Sequence, residues 1–354
     1  MRLDYSTRRR LLNTIRVLTS AIVPLAALRG GHLQIEHISH LPVQCADGCS
    51  LQMVSPQFGW LSGRTALWKT TDGGVSWEAV SIPTVAPGAR ITFQSAGAER
   101  AWIYMIPESI YETADGGVHW EKIDPPKVDG VFQTAWIDLN QNASWVAGGV
   151  YVASNRPDAP NWAVKRYASG KWGILHPVAY ARTAGDAWSR HDFPRCDWSL
   201  FDLTFWDPKR GFAVGDGCFY YTESSGDHWE IGLFHKGSES LNGFPDDGEH
   251  PTVDFLDRRN GWLSLDGSSL YRTSDGGKNW YQVSLIAPYF TSLRFFDENR
   301  GLGIVGMSKL YESMDGGTTW ENSETGFLAR SIERLDQSHG WVLSDNECYR
   351  VSWQ

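Results

Sequence analysis

Short apolar runs recur from Leu51 to the end of the chain, in pairs separated by a few polar residues. The first member of each pair covers residues 51–54, 91–93, 135–137, 203–206, 253–256, 293–296 and 332–335. The second opens on a small residue followed by an apolar one: Gly59-Trp60, Ala101-Trp102, Ser144-Trp145, Gly211-Phe212, Gly261-Trp262, Gly301-Leu302 and Gly340-Trp341. Runs this short, rich in aromatic and β-branched residues and bounded by Gly, Asp, Asn and Ser, predict strands rather than helices. A third element follows at residues 67–77 (LWKTTDGGVSW), 110–120 (IYETADGGVHW), 270–280 (LYRTSDGGKNW) and 310–320 (LYESMDGGTTW). Residues 219–229 (FYYTESSGDHW) carry Ser224 where the Asp stood, and residues 181–188 keep only Gly185 and Trp188. Here a strand enters, Asp-Gly-Gly supplies the positive-φ positions of a tight turn, and the Trp starts the returning strand. The Asp carboxylate and the Thr or Ser hydroxyl are placed to accept hydrogen bonds from turn amides.

The unit is therefore four short strands over about 40 to 50 residues, and four-stranded units repeating at this period read as propeller blades. The fold predicted is all-β: a seven-bladed β-propeller of four-stranded blades. In the third unit residues 153–177 are an insertion, and the seventh ends before its fourth strand. An open edge invites aggregation, so the missing strand is assigned to the alternating residues 33–38, pairing beside 349–353 and closing the ring from the N-terminus. Residues 32–354 then form one domain.

Composition agrees. With 18 Trp, 13 Tyr, 15 Phe and 36 Gly, and only 21% charged residues, the chain is no disordered protein, collagen or helical bundle. Residues 1–31 differ from the rest: six arginines face one acid, Asp4, giving +5. The whole chain is −9, so residues 32–354 carry −14 and repel phosphates, which excludes nucleic acid as the partner. Residues 17–28 are an apolar run behind the basic stretch, shorter than the about 20 residues of a membrane span. Residues 7–12 (TRRRLL) resemble a twin-arginine signal. The expectation is an export signal or N-terminal membrane tether over 1–31, placing the chain in a periplasm, a thylakoid lumen or outside the cell.

The Thr/Ser-x-Asp-Gly-Gly-x-x-Trp segments resemble Asp-boxes, or BNR repeats. With the Gly-Trp strands in seven units, nearly all of residues 33–354 is similar to the photosystem II assembly and stability factor family. That resemblance implies a propeller that binds photosystem II precursor subunits without a catalytic centre, through an arginine-rich patch. It also implies that the box turns lie opposite the ligand face, making Asp72, Asp115, Asp275, Asp315, Trp77, Trp120, Trp229, Trp280 and Trp320 structural. The partner-binding residues expected on the other face are Arg64, Arg90, Asp216, Asp266 and Lys309, with the third-unit insertion as a specificity element. A monomer binding a protein, such as a membrane-complex subunit, follows.

The other reading is a carbohydrate-active protein, a glycoside hydrolase, sialidase-like enzyme or lectin. Residues 89–92 (ARIT) lack the Pro of a sialidase Arg-Ile-Pro signature. Two-carboxylate chemistry needs acids across a cleft, for which Asp216, Asp246, Asp247, Glu249 and Asp266 are loop candidates. In the loop 244–250 (FPDDGEH), which ends at His250, Asp246, Asp247 and Glu249 also offer hard oxygen ligands without regular Ca²⁺ spacing, and His32, His37 and His40 do not fit a zinc motif. No catalytic residue, metal or cofactor is therefore assigned. Aromatics outside the repeat are Trp162, Tyr167, Trp172 and Tyr180 in the third-unit insertion and Phe234, Phe244 and Tyr289 in inter-blade loops; packing against their own blade is the first reading, and a rim that stacks on sugars or anchors a protein the other. Five cysteines leave one unpaired. Cys196 and Cys218 fall in loops of the same face, the expected disulfide. Cys45 and Cys49 either bridge locally or send one member to Cys348.

Overall fold

The computed structural model divides into Met1–His32 and Leu33–Gln354. The described residues are 33–353 apart from 46–47, 106–108, 127–129, 139–142, 154–163, 167–171, 184–186, 195–199, 216, 237, 243, 245–250, 266–268, 285–287 and 307. Seven sheets follow one another along Leu33–Gln354, antiparallel but for one parallel pair in blade 5. Taken in order they are blade 1 (residues 50–80), blade 2 (91–123), blade 3 (130–192), blade 4 (200–231), blade 5 (252–284), blade 6 (290–322) and blade 7 (331–353). The first strand of each blade faces the axis: Ser50–Met53 of blade 1 touches both Ile91–Ser95 of blade 2 and Ser331–Arg334 of blade 7.

The small residue that opens each second strand has a steric cause. The first-strand aromatic folds back across the hairpin, and a Cβ at Gly261 would stand 2.6 Å from the Phe255 ring. At Gly301 and Gly211 it would meet Phe295 and Phe205, each at 2.8 Å. The residue after it is a large side chain buried between blades. Three of these tryptophans also tie one blade to the next. The Nε1–H of Trp60 donates to Gly97 O at 3.0 Å, that of Trp262 to Gly316 O at 2.9 Å, and that of Trp341 to Gly73 O at 3.2 Å.

The ring closes as the sequence predicts. Leu33–His40 occupies the fourth place of blade 7, antiparallel to Glu347–Trp353, with Leu33 opposite Trp353 and His40 opposite Glu347. A bulge between His37 and Ser39 shifts the register. Both histidines then meet one carboxylate, His37 Nε2 and His40 Nδ1 each 2.7 Å from a Glu347 oxygen. Leu33 and Ile35 pack with Trp353, Phe296 and Phe327.

Two blades exceed four strands. In blade 3 the expected insertion is an extension of the sheet: the second and third strands run over Ala143–Ala153 and Trp172–Thr183, and Val164–Arg166 pairs with the latter. Blade 5 is six-stranded because the chain leaving blade 4 forms a hairpin, Leu233–Lys236 with Glu239–Asn242, whose first strand pairs in parallel with Asn279–Ser284. Phe234, expected in an inter-blade loop, lies in this strand and is fully buried against Phe244, Tyr271 and Trp280. Tyr180 is buried as well, Tyr289 is half-buried, and Trp162 and Tyr167 lie outside the described residues.

The Asp-Gly-Gly turns have one hydrogen-bond scheme. In blade 1, Thr70 Oγ1 donates to Asp72 Oδ1 at 2.8 Å and accepts from Gly74 N at 2.9 Å, while Asp72 Oδ1 accepts from Ser76 N at 2.9 Å. The set recurs through Thr113 and Asp115, Thr273 and Asp275, and Ser313 and Asp315. The His119 amide donating to Asp115 holds that carboxyl down to about 2. Blade 4 keeps the turn without the acid: Ser224 Oγ accepts from His228 N at 2.8 Å. Its Ser225 sits at φ 62°, the one positive-φ non-glycine among the described residues, where blade 1 has Gly73. Ser225→Gly is expected to stabilise the protein by up to about 1 kcal/mol, because a left-handed non-glycine costs about 1–2 kcal/mol and the freer unfolded glycine returns part of it. Urea denaturation reads this, and a destabilised variant would contradict it.

Candidate functional site

The strand directions divide the ring into two faces. The Asp-Gly-Gly turns join third to fourth strands and bond to the turns between first and second strands, as Gly73 N to Gln57 O and Gly276 N to Arg259 O, both within 3.0 Å. We call this the turn face. The connections from second to third strands, and from blade to blade, emerge on the opposite, loop face.

Arg64 and Arg90 meet on the loop face. Arg64 lies between the second and third strands of blade 1, and Arg90 ends the connection into blade 2. Together with Gly48, Cys49, Ser50 and Thr92 they line a pocket of about 300 Å³. Both arginines are exposed, and among the described residues neither guanidinium has a hydrogen bond or ion pair. The floor is held by the Cys45–Cys49 disulfide and by Cys45 N donating to Asp345 O at 2.6 Å. Lys309 is exposed at the same face but starts the third strand of blade 6, away from this pocket. Asp216 and Asp266, and with them Asp246, Asp247, Glu249 and His250, lie outside the described residues.

The local bridge leaves Cys348 a buried thiol, which burial pushes up to about 12. Cys218 is disulfide-bonded, and Cys196, its expected partner, lies outside the described residues.

A second cavity, the central channel, has a volume of about 740 Å³. Its wall carries charged groups that the sequence analysis did not single out, each on an inner strand: Asp202, Asp254, Arg294 and Glu333. Two of them, Asp254 and Glu333, hold blades together. Asp254 Oδ2 accepts from Phe295 N at 2.7 Å and from Arg334 Nη1 at 2.9 Å. Arg334 also donates to the Phe255 and Phe295 carbonyls. Glu333 Oε1 accepts from Met53 N at 3.1 Å, joining blade 7 to blade 1. Gln52 does the same between blades 1 and 2, donating to Phe93 O and accepting from Ser95 N. Burial raises Glu333 to about 7 and Asp202 to about 6, in both cases against the pull of Arg294. These residues are polar positions in first strands of mixed polarity, and nothing in the sequence marks them as facing the channel. Among the described residues no three His, Cys, Asp or Glu side chains are grouped to hold a metal.

Residues 40–166 match the family model described as photosynthesis system II assembly factor YCF48. The chain resembles the photosystem II assembly factors. The matched span covers blades 1 and 2 and the start of blade 3, and so includes Arg64, Arg90 and their pocket. No curated protein sequence matches the chain. A solved structure of YCF48 bound to D1 peptide is 19% identical, covers 93% of this chain and 99% of that one, and superposes with a TM-score of 0.60. YCF48 from Cyanidioschyzon merolae is 16% identical over 90% of this chain and 98% of its own, with a TM-score of 0.59. A streptogramin B lyase is 9% identical over 92% and 98%, with a TM-score of 0.57. At these identities the structural likenesses speak for the fold alone, and the same ring serves family members and a lyase.

Proposed function

We propose that this chain is a non-catalytic assembly scaffold, exported and held at a membrane by its N-terminal segment, which binds a protein partner on the loop face. The observation that carries this reading is the pair of exposed guanidiniums of Arg64 and Arg90, without a partner among the described residues, over a pocket fixed by a disulfide and two adjoining blades. On a domain of −14 such a pair is a local exception in sign, suited to a carboxylate-bearing segment. The peptide in the YCF48 complex named above supports a membrane-complex subunit as the partner class. The ring supplies rigidity, and the loops supply the site.

The test is a pull-down from the host's membrane fraction with the full chain as bait, then titration of the recovered partner. Arg64→Glu with Arg90→Glu is expected to weaken binding about tenfold or more, since each reversal turns attraction into repulsion. Unchanged affinity would remove the pocket from the proposal.

One observation favours the carbohydrate reading: Glu333 and Asp202, both raised toward neutrality, line an open channel beside Trp206. Glu333, however, already accepts the Met53 amide, and Asp254 is closed by Arg334. Retention of the chain on a glycan array, lost in Glu333→Gln, would reverse the order of the two readings.

A further inference from the structure

Leu33 enters the ring on the turn face. Third strands run toward the Asp-Gly-Gly turns, so the last residues of Glu347–Trp353 lie at that end, and Leu33 is paired with Trp353. Side chains agree. Trp353 Nε1 donates to Glu312 Oε1 at 2.8 Å, and the Arg300 guanidinium covers its ring at 5.1 Å. Arg300 belongs to the turn between the first and second strands of blade 6.

Two facts then bear on the surroundings of that face. The apolar run of residues 17–28 stands five residues before Leu33 in the sequence, a reach of roughly 18 Å when fully extended. A five-residue strand is itself about 16 Å long. A membrane holding that run is thus within reach of the turn face before the loop face. The second fact is where exposed apolar side chains occur. Among the described residues there are six large ones, and four lie in turns of this face: Val54 (39% exposed), Val75 (57%), Val118 (67%) and Met314 (40%). Scattered singly, such residues need no explanation. Here they lie in turns of blades 1, 2 and 6, on the face where Leu33 enters. Val75 and Val118 hold the same place in successive turns, directly after the second glycine, where blade 5 has Lys278 and blade 6 Thr318.

We propose that the turn face is a lipid-contacting surface, so that the tethered ring lies with its turns against the bilayer and its loop face, with Arg64 and Arg90, directed away from it. The inference rests on the tether in the function proposed above. It assigns the turns a second task besides closing hairpins, and it fixes from which side a partner is met: parts of a membrane protein that rise clear of the lipid.

The full chain, incubated with phosphatidylcholine vesicles, tests this. Single cysteines carrying an environment-sensitive dye are placed at Val75→Cys and Val118→Cys on the turn face, and at Arg64→Cys and Leu328→Cys on the loop face. Leu328 is an exposed apolar residue of that face, and Cys348 is too buried to compete for the dye. Flotation of the vesicles reads the tether in the same sample. The expected result is co-flotation, with a blue shift and a rise of roughly twofold at positions 75 and 118 and none at 64 and 328. Co-flotation with dyes on the loop face responding, or none responding, overturns the orientation and leaves the tether standing. Failure of the chain to float overturns both.

Discussion

Gly277→Ala is expected to destabilise the protein by about 3 kcal/mol or more, the largest effect of a methyl addition among the described positive-φ glycines. Two costs act together. Gly277 sits at φ +87°, where an alanine pays about 1–2 kcal/mol in backbone strain. An added Cβ would also run into the Phe219 ring of blade 4, which is itself fully buried and wedged between Phe212, Phe255 and Trp280. The ring has nowhere to go, so overpacking adds about 1–3 kcal/mol. Gly48→Ala is the control: its φ is +99°, but nothing lies within 4 Å of the new Cβ, and strain alone should act. Urea midpoints of the two variants separate the contributions. Equal losses would mean that the close approach of the blade 5 turn to blade 4 does not matter.

Glu333→Gln is expected to stabilise the protein at pH 8, by up to about 3 kcal/mol, and to change little near pH 4. Glu333 has an ordinary value of 4.5 and is raised to about 7 in the ring. The folded state therefore holds a proton that the unfolded state has released between these values. Stability falls with rising pH across that window and stays reduced above it. Glutamine keeps an oxygen for the Met53 amide and carries no charge to desolvate. The channel is open to water, so the full shift is an upper limit. Melting temperatures of both proteins from pH 4 to pH 8 give the answer, and a difference that does not grow with pH would show that Glu333 is ionised throughout at little cost.

Both predictions act at contacts between neighbouring blades, and that is where sequence and structure part. The seven-fold strand pattern, the turns at Asp72, Asp115, Asp275 and Asp315, and the closing strand before blade 1 were all legible, because each follows from local rules: alternation, turn chemistry and the need to cover an edge. Even the irregular turn at Ser224 was visible as a departure from the repeat, although its cost at Ser225 was not. Phe234 was misplaced for the opposite reason. Its strand is held by a parallel pairing with Asn279–Ser284, more than 40 residues away, and no local signal announces a partner at that distance. The insertion in blade 3 was read only as extra residues, whereas it lengthens two existing strands and adds the short strand Val164–Arg166, a matter of register that depends on the pairing partner.

The candidate site divides in the same way. Arg64 and Arg90 could be assigned to one face from strand count alone, since strand direction alternates. That they share a pocket while Lys309 stands apart depends on which blades are neighbours and how their loops lean. The charged groups of the channel were hidden because a polar residue in a strand looks the same whether it faces solvent or an enclosed wall. The fold class, the number of blades, the closing strand and the face each loop occupies could be read along the chain, because these depend on its periodicity and parity. Which side chains share a pocket, which carboxylates are closed by a neighbouring blade, and which glycines touch another ring emerge only in the folded ring. Those depend on distances between segments that the ring brings together and the chain order keeps apart.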